Sequence, residues 1–235
     1  MFSLRKHRIS RLEEFSDAVF GFALTLLVLS STVPRSYEQL MDLMRGLPAF
    51  ACCFAVLVWI WYEHDTFFER YPMNDRTTFL LNSALLFTVL IYVYPLKFMF
   101  SAFMSQVFGL GSRTEPVQDM ELFELANAST IYGLGFFVLT GLFALLYLNA
   151  HRLQEQLELT PLQAFEARAI AGHQLVSASV GLFAMLFAMT APLYLAFLSP
   201  CSFALMGPGH ALFGMRMKKK REAFLASQTD EARIG

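Results

Sequence analysis

Charge, cysteine and the short motifs of known catalytic chemistry are all scarce in this sequence. Charged residues make up 16% of the chain and apolar ones 56%, whereas ordinary soluble domains carry charge on about a quarter of their residues. The formal net charge of -1 argues against a broad basic surface for nucleic acid and against an acidic solubilising tail. Only Cys52, Cys53 and Cys201 are present, with neither the spacing of a metal site nor a disulfide framework, and they read as small buried hydrophobes. There is no HExxH pair, GxSxG elbow, Walker loop or GxGxxG, so enzyme readings have little support. No chain of Asp, Glu or Arg sits at the centre of an apolar run, as proton-coupled or voltage-sensing transport requires. The TVGYG filter of ordinary potassium channels is also missing. No cofactor is expected.

Long apolar runs, by contrast, are abundant. A helix needs roughly 20 apolar residues to cross about 30 Å of hydrocarbon at 1.5 Å per residue. Six stretches approach that length: about 16 to 33, 47 to 62, 79 to 100, 130 to 150, 171 to 190 and 193 to 214. The expected fold is an all-α membrane protein, a single six-helix transmembrane domain over residues 1–235. The first run is too long for a signal peptide and meets no small-residue cleavage site before Pro34, so it is expected to persist as a span. The last two form one tract of over forty residues. Thr190 to Pro192 is the expected turn, with a second helix after the proline, and a re-entrant pair is the competing reading.

Placement of Lys and Arg suggests the orientation, because loops rich in them stay cytoplasmic. Arg5, Lys6, Arg8 and Arg11 precede the first run, Arg70 and Arg76 lie between the second and third, Arg152 and Arg168 between the fourth and fifth, and six more follow the last, together fourteen of the 18. Arg35, Arg45, Lys97 and Arg113 fall on the other side. Both termini are therefore expected in the cytoplasm, in a cell-membrane protein with an even number of spans. Trp59, Trp61 and Tyr62 fit an aromatic belt, and Lys218 to Arg221 a contact with anionic lipid. Ser10 with Glu13 reads as a capping box, as do Thr160, Pro161 and Gln163 at a later helix start. The segment from 101 to 129, with Gly109, Gly111 and Pro116, ends in an acidic stretch expected to form a short surface helix.

The first helix opens with Arg11, Phe15, Ser16 and Asp17, an RxxxFSD pattern running into AVFGFALTLLVL. At 100° per residue, Phe15, Phe22 and Leu29 drift by only about 20° per heptad, with Thr25 and Leu26 on the same side. Asp17 lies about 140° from Phe22 and is expected to point into the protein. Arg11 and Asp17 fall on different faces, so each needs a partner on another helix. His64 is one candidate. On residue chemistry alone, Arg11 also reads as a positive-inside anchor, Asp17 as a first-turn acid favoured by the helix dipole, and the stripe as a face toward lipid or neighbouring helices. His64, His151 and His173 read as interfacial or structural groups.

RxxxFSD on a first helix, followed by an aliphatic run with an embedded threonine, resembles the prokaryotic branch of the transmembrane protein 175 potassium channels. Six spans, chain length and cytoplasmic ends fit the same family. The resemblance implies passive potassium-selective conduction, with the first helix lining a central pore. It assigns Phe22, Thr25 and Leu29, with Leu26 on the same stripe, to a hydrophobic constriction. It assigns Arg11, Phe15, Ser16 and Asp17, with His64 as candidate partner, to a network tying that helix to its neighbours. Position 22 is usually aliphatic in that family, and an acidic residue is common where Ser30, Ser31 and Thr32 stand, which bears on constriction width and cation attraction. Animal relatives carry two motif copies per chain and this chain has one, which implies a homotetramer. The implied partners are potassium ions and the lipid bilayer, with no nucleic acid. A proton-conducting channel of the same build is one alternative. A secondary transporter is another, but it needs a midplane site on broken helices or polar groups, and the first helix has neither. Thr25 would supply the only side-chain oxygens near the constriction, or else bond back to the carbonyl of Gly21.

Overall fold

A computed structural model of the chain describes residues 11–31, 33–110, 121–196 and 198–234. Arg5, Lys6 and Arg8, the Ser10 half of the first capping box, Thr32, and Gly111, Arg113 and Pro116 lie outside the described residues. The described chain is helical: α1 Arg11–Leu29, α2 Tyr37–Arg70, α3 Arg76–Phe108, α4 Leu122–Arg152, α5 Pro161–Thr190, α6 Leu193–Ala196, a 3-10 segment Ser199–Leu205, and α7 Met206–Ile234.

Local chemistry sets several of these ends. Ser36 accepts from the Gln39 N–H at the start of α2, and Asp75 accepts from the N–H groups of Thr77 and Thr78 at the start of α3, each satisfying donors that a helix leaves unpaired in its first turn. The Thr160–Gln163 capping box opens α5 with Pro161 at its first position. α3 stops at Gly109, which adopts φ 64°, a conformation that glycine enters without strain.

The six-span reading is overturned. Among the described residues, four helices are long and apolar enough to cross a membrane, namely α2, α3, α4 and α5. α1 is 19 residues long but carries Arg11, Glu13, Glu14 and Asp17 in its first two turns, so it lacks the composition of a lipid-exposed span. The tract from 193 to 214 is not one helix. Pro200 lies inside it, and a four-residue helix and a 3-10 segment stand before α7. An apolar run counts residues without regard to continuity, and a proline denies the backbone a continuous ladder. The acidic stretch near Glu121 is likewise not a separate surface helix. Glu121 precedes α4, and its N–H donates to the Glu124 carboxylate as α4 starts.

α4 and α5 pack backbone to backbone. A methyl group placed on Gly133 would lie 2.9 Å from the Met185 nitrogen, and one on Gly181 would lie 2.9 Å from the Phe137 nitrogen. Small residues recur along α5 at Ala164, Ala167, Ala171, Ala178, Ala184 and Ala188, all buried. In lipid, where apolar side chains gain nothing from leaving water, such close approach is what holds helices together. α3 packs on α4, and α1 lies against α2 and α3. Where α2 and α4 meet, Phe67, Phe68, Tyr71 and Tyr147 form an aromatic cluster with edge-to-face contacts.

Candidate functional site

α1 has two faces. Ser16, Phe20, Ala23 and Leu27, spaced by four, three and four residues, are buried against α2 and α3. About 130° away, Phe15, Phe22, Thr25 and Leu29 are exposed and Leu26 is half-buried. Phe22 is 54% exposed and Leu29 70%, so among the described residues nothing covers these positions of the stripe that the helical period defines.

The buried face is fixed near its start by a chain of hydrogen bonds through three helices. His64 on α2 meets Asn82 Oδ1 on α3 at 2.7 Å. A carboxamide oxygen only accepts, so His64 Nε2 carries the proton. Asn82 Nδ2 donates to Ser16 Oγ at 2.9 Å, and the Ser16 hydroxyl donates to the Leu12 carbonyl at 2.7 Å. His64, Asn82 and Ser16 are almost wholly buried, and among the described residues no buried side-chain nitrogen or oxygen is left without a hydrogen-bond partner. Phe20 and Phe68 flank the His64 ring at 5.3 and 4.8 Å between centroids.

Beside this chain, the Trp61 indole N–H donates to Asp17 Oδ1 at 2.9 Å. Asp17 does not point into the protein as its angle from Phe22 suggests. It stays exposed at the α1–α2 rim, where the carboxylate keeps solvent contact and gains the indole donor. The structure thus brings Ser16 and His64 together through Asn82, and joins Asp17 to the same helix as His64 through Trp61. Arg11 and Phe15 are exposed at the start of α1 and take no part in these bonds among the described residues.

Thr25 Oγ1 donates to the Gly21 carbonyl at 3.0 Å. That bond consumes the hydroxyl proton and leaves the oxygen lone pairs on the exposed side of the helix. At the other end of α1, Lys97 Nζ of α3 lies 3.1 Å from the Ser30 carbonyl and 3.1 Å from Ser31 Oγ. Sequence reasoning passed over Asn82, Trp61 and Lys97 as site residues. A lone carboxamide or ammonium within an apolar run signals that a partner is needed on another element, though not which one, and that much marks Asn82 and Lys97.

A second polar knot joins α3 to α4. Asn149 Nδ2 donates to Thr78 Oγ1 at 3.0 Å and to the Asp75 carboxylate at 3.3 Å, and the Thr78 hydroxyl donates to Asp75. Burial pushes the Asp75 carboxyl up, but hydrogen bonds from Thr78, Asn149 and Thr77 outweigh it and hold the group below the usual carboxylate range. Among the described residues, no group of three His, Cys, Asp or Glu is placed to hold a metal ion.

The chain is similar to known proteins. A family model described as the endosomal/lysosomal potassium channel TMEM175 matches residues 11–93, from the first residue of α1 through most of α3. A potassium channel from Marivirga tractuosa is 38% identical over 196 residues, covering 81% of this chain and 79% of its own. The crystal structure of a variant of the potassium channel MtTMEM175, complexed with a nanobody–MBP fusion protein, is similar with a TM-score of 0.81 at 34% identity. That match covers 93% of this chain and 97% of the other. A crystal structure of a lysosomal potassium-selective channel TMEM175 homolog from Chamaesiphon minutus shares the fold, with a TM-score of 0.55 at 22% identity over 88% of this chain and 96% of that one.

Proposed function

The chain belongs to the TMEM175 potassium channel family, and from that premise we propose that it is a passive potassium-selective channel whose pore is lined by α1 from four identical subunits. The observation that carries this reading is the uncovered stripe of α1. Phe22 and Leu29 stand exposed on a helix whose opposite face is packed and hydrogen-bonded to α2 and α3. A helix held on one side and bare on the other is placed to meet copies of itself. One chain carries a single RxxxFSD helix, and closed cyclic symmetry is the usual way for identical subunits to enclose an axis. The charge placement along the sequence supports cytoplasmic loops between α2 and α3 and between α4 and α5 in a protein of the cell membrane.

In this reading the Phe22 and Leu29 levels are apolar rings that resist a hydrated ion and gate by dewetting. Thr25, one turn from Phe22, presents hydroxyl lone pairs to the ion because its proton is already engaged with Gly21. Glu13, Glu14 and Asp17 near the start of α1 raise the local concentration of cations by their field. A channel needs no catalytic group.

Single-channel recording of the purified protein in planar bilayers, under separate potassium and proton gradients, tests the proposal. Unitary currents reversing near the potassium equilibrium potential are expected. Phe22→Ala is expected to raise conductance by widening its ring, and Thr25→Val to weaken potassium preference while Thr25→Ser retains it. Reversal that follows the proton gradient would identify a proton channel of the same build. Saturating exchange without unitary steps would identify a transporter. Unchanged conductance in Phe22→Ala together with unchanged reversal in Thr25→Val would move the pore away from this face of α1.

A further inference from the structure

We propose that Lys97 is a positioning residue that fixes the outer end of α1 and thereby sets the width of the pore at the Leu29 level; the inference rests on α1 lining the pore. α3 carries only two charged residues, Arg76 at its first position and Lys97 within its apolar length. An ammonium there is unfavourable unless it is answered, and the answer lies on α1. The last turn of α1 contains no basic side chain, although a helix C-terminus accumulates partial negative charge and carbonyls without intrahelical donors.

The end of α1 spends its own donors nearby. The Ser30 N–H reaches the Leu26 carbonyl at 2.9 Å, and the Ser30 hydroxyl reaches the Leu27 carbonyl at 2.6 Å. The Ser30 carbonyl and the Ser31 hydroxyl both accept from Lys97 Nζ, each at 3.1 Å. Leu29 immediately precedes this clasp and is 70% exposed. Movement of the Ser30 carbonyl therefore carries the Leu29 side chain with it. By the 100° period Ser31 falls about 180° from Phe22 and Ser30 about 80° to one side, and α3, which carries Lys97, packs against α1. Lys97 accordingly holds α1 from its flank and back and does not line the bare stripe. A point charge with a flexible stem can follow small displacements, whereas two simultaneous hydrogen bonds restrict them.

The experiment starts from tetramers in which Cys52, Cys53 and Cys201 are replaced and Leu29→Cys is introduced. Size exclusion checks assembly, and a charged thiol reagent applied from the outer side blocks the current. Lys97→Met is expected to speed modification several-fold and to raise conductance. Lys97→Arg is expected to restore the parent rate. Ser31→Ala, which removes one acceptor and leaves the charge untouched, is expected to shift both quantities in the same direction by less, and it keeps the proposal open to refutation if Lys97→Met does not assemble. Parent values in both Lys97→Met and Ser31→Ala would overturn the anchor while leaving the pore reading intact. So would a conductance change in Lys97→Met that vanishes at high salt with Ser31→Ala inert, because that is a charge effect. An unreactive Leu29→Cys in every background, with unitary currents present, would instead remove Leu29 from the pore and refute both readings.

Discussion

A carboxamide buried in a membrane helix is tolerated when both of its ends are answered, and Asn82 is answered by His64 on one side and Ser16 on the other. Asn82→Leu leaves the buried His64 Nε2 without its acceptor, at about 1 to 3 kcal/mol, and takes one donor from Ser16, which keeps its bond to the Leu12 carbonyl. The variant is expected to lower the melting temperature of the purified protein, and to reduce assembly, without altering reversal potentials in the channels that form. Normal stability with changed selectivity would show that this chain of bonds acts on the ion path. The RxxxFSD pattern made the α1 half of this arrangement legible, and His64 was within reach because it follows a conspicuous aromatic cluster. Asn82 was not legible, because its partner lies 66 residues away and a lone Asn in an apolar run gives no direction. Trp61 was hidden for a different reason. Its place at a helix end suits an aromatic belt, and nothing local indicates that its N–H points at Asp17.

At the level of helices, length in apolar residues made α2 to α5 legible, and cap chemistry made the start of α5 legible. The tract after Pro192 was misread because hydropathy is blind to backbone continuity, and α1 because its apolar run hides the charges in its opening turns. Close helix contact leads to a sharp expectation for the α4–α5 pair. Gly181→Val places side-chain atoms where Phe137 backbone already stands. It is expected to destabilise the protein by at least about 1 to 3 kcal/mol, as overpacking does, and more than Gly141→Val, whose methyl position meets nothing within 4 Å. Equal melting temperatures for the two variants would contradict the tight seam. The α3–α4 knot adds a pH dependence. Because Asp75 is held below its ordinary value, its contribution is fully present above the unfolded pKa of about 3.9 and is lost as pH falls through the folded value. Asp75→Asn is expected to be less stable at neutral pH and to lose less stability on acidification below about pH 4. Parallel acid titrations of melting temperature would show otherwise.

For the whole molecule, the charge placement predicts that a cysteine at Asn74, between α2 and α3, is labelled from the cytoplasmic side and one at Leu110, beyond α3, from the exterior, in a background lacking the native thiols. Labelling of both from one side would refute the orientation. Native mass spectrometry of the purified protein is expected to give four chains, and a monomer active in bilayers would refute the shared pore. A mechanical consequence follows from how α1 is held. Near its start it is tied through Ser16 and Asp17, and just past its end through Ser30. A rod clamped at both ends bows most at mid-length, which here falls between Gly21 and Thr25, and Gly21 has open space on its side-chain side. Thermal bowing should therefore modulate the Phe22 and Thr25 levels strongly and the Leu29 level weakly. It should be audible as open-channel current noise that grows with temperature and that Gly21→Ala, by stiffening the middle of the rod, damps.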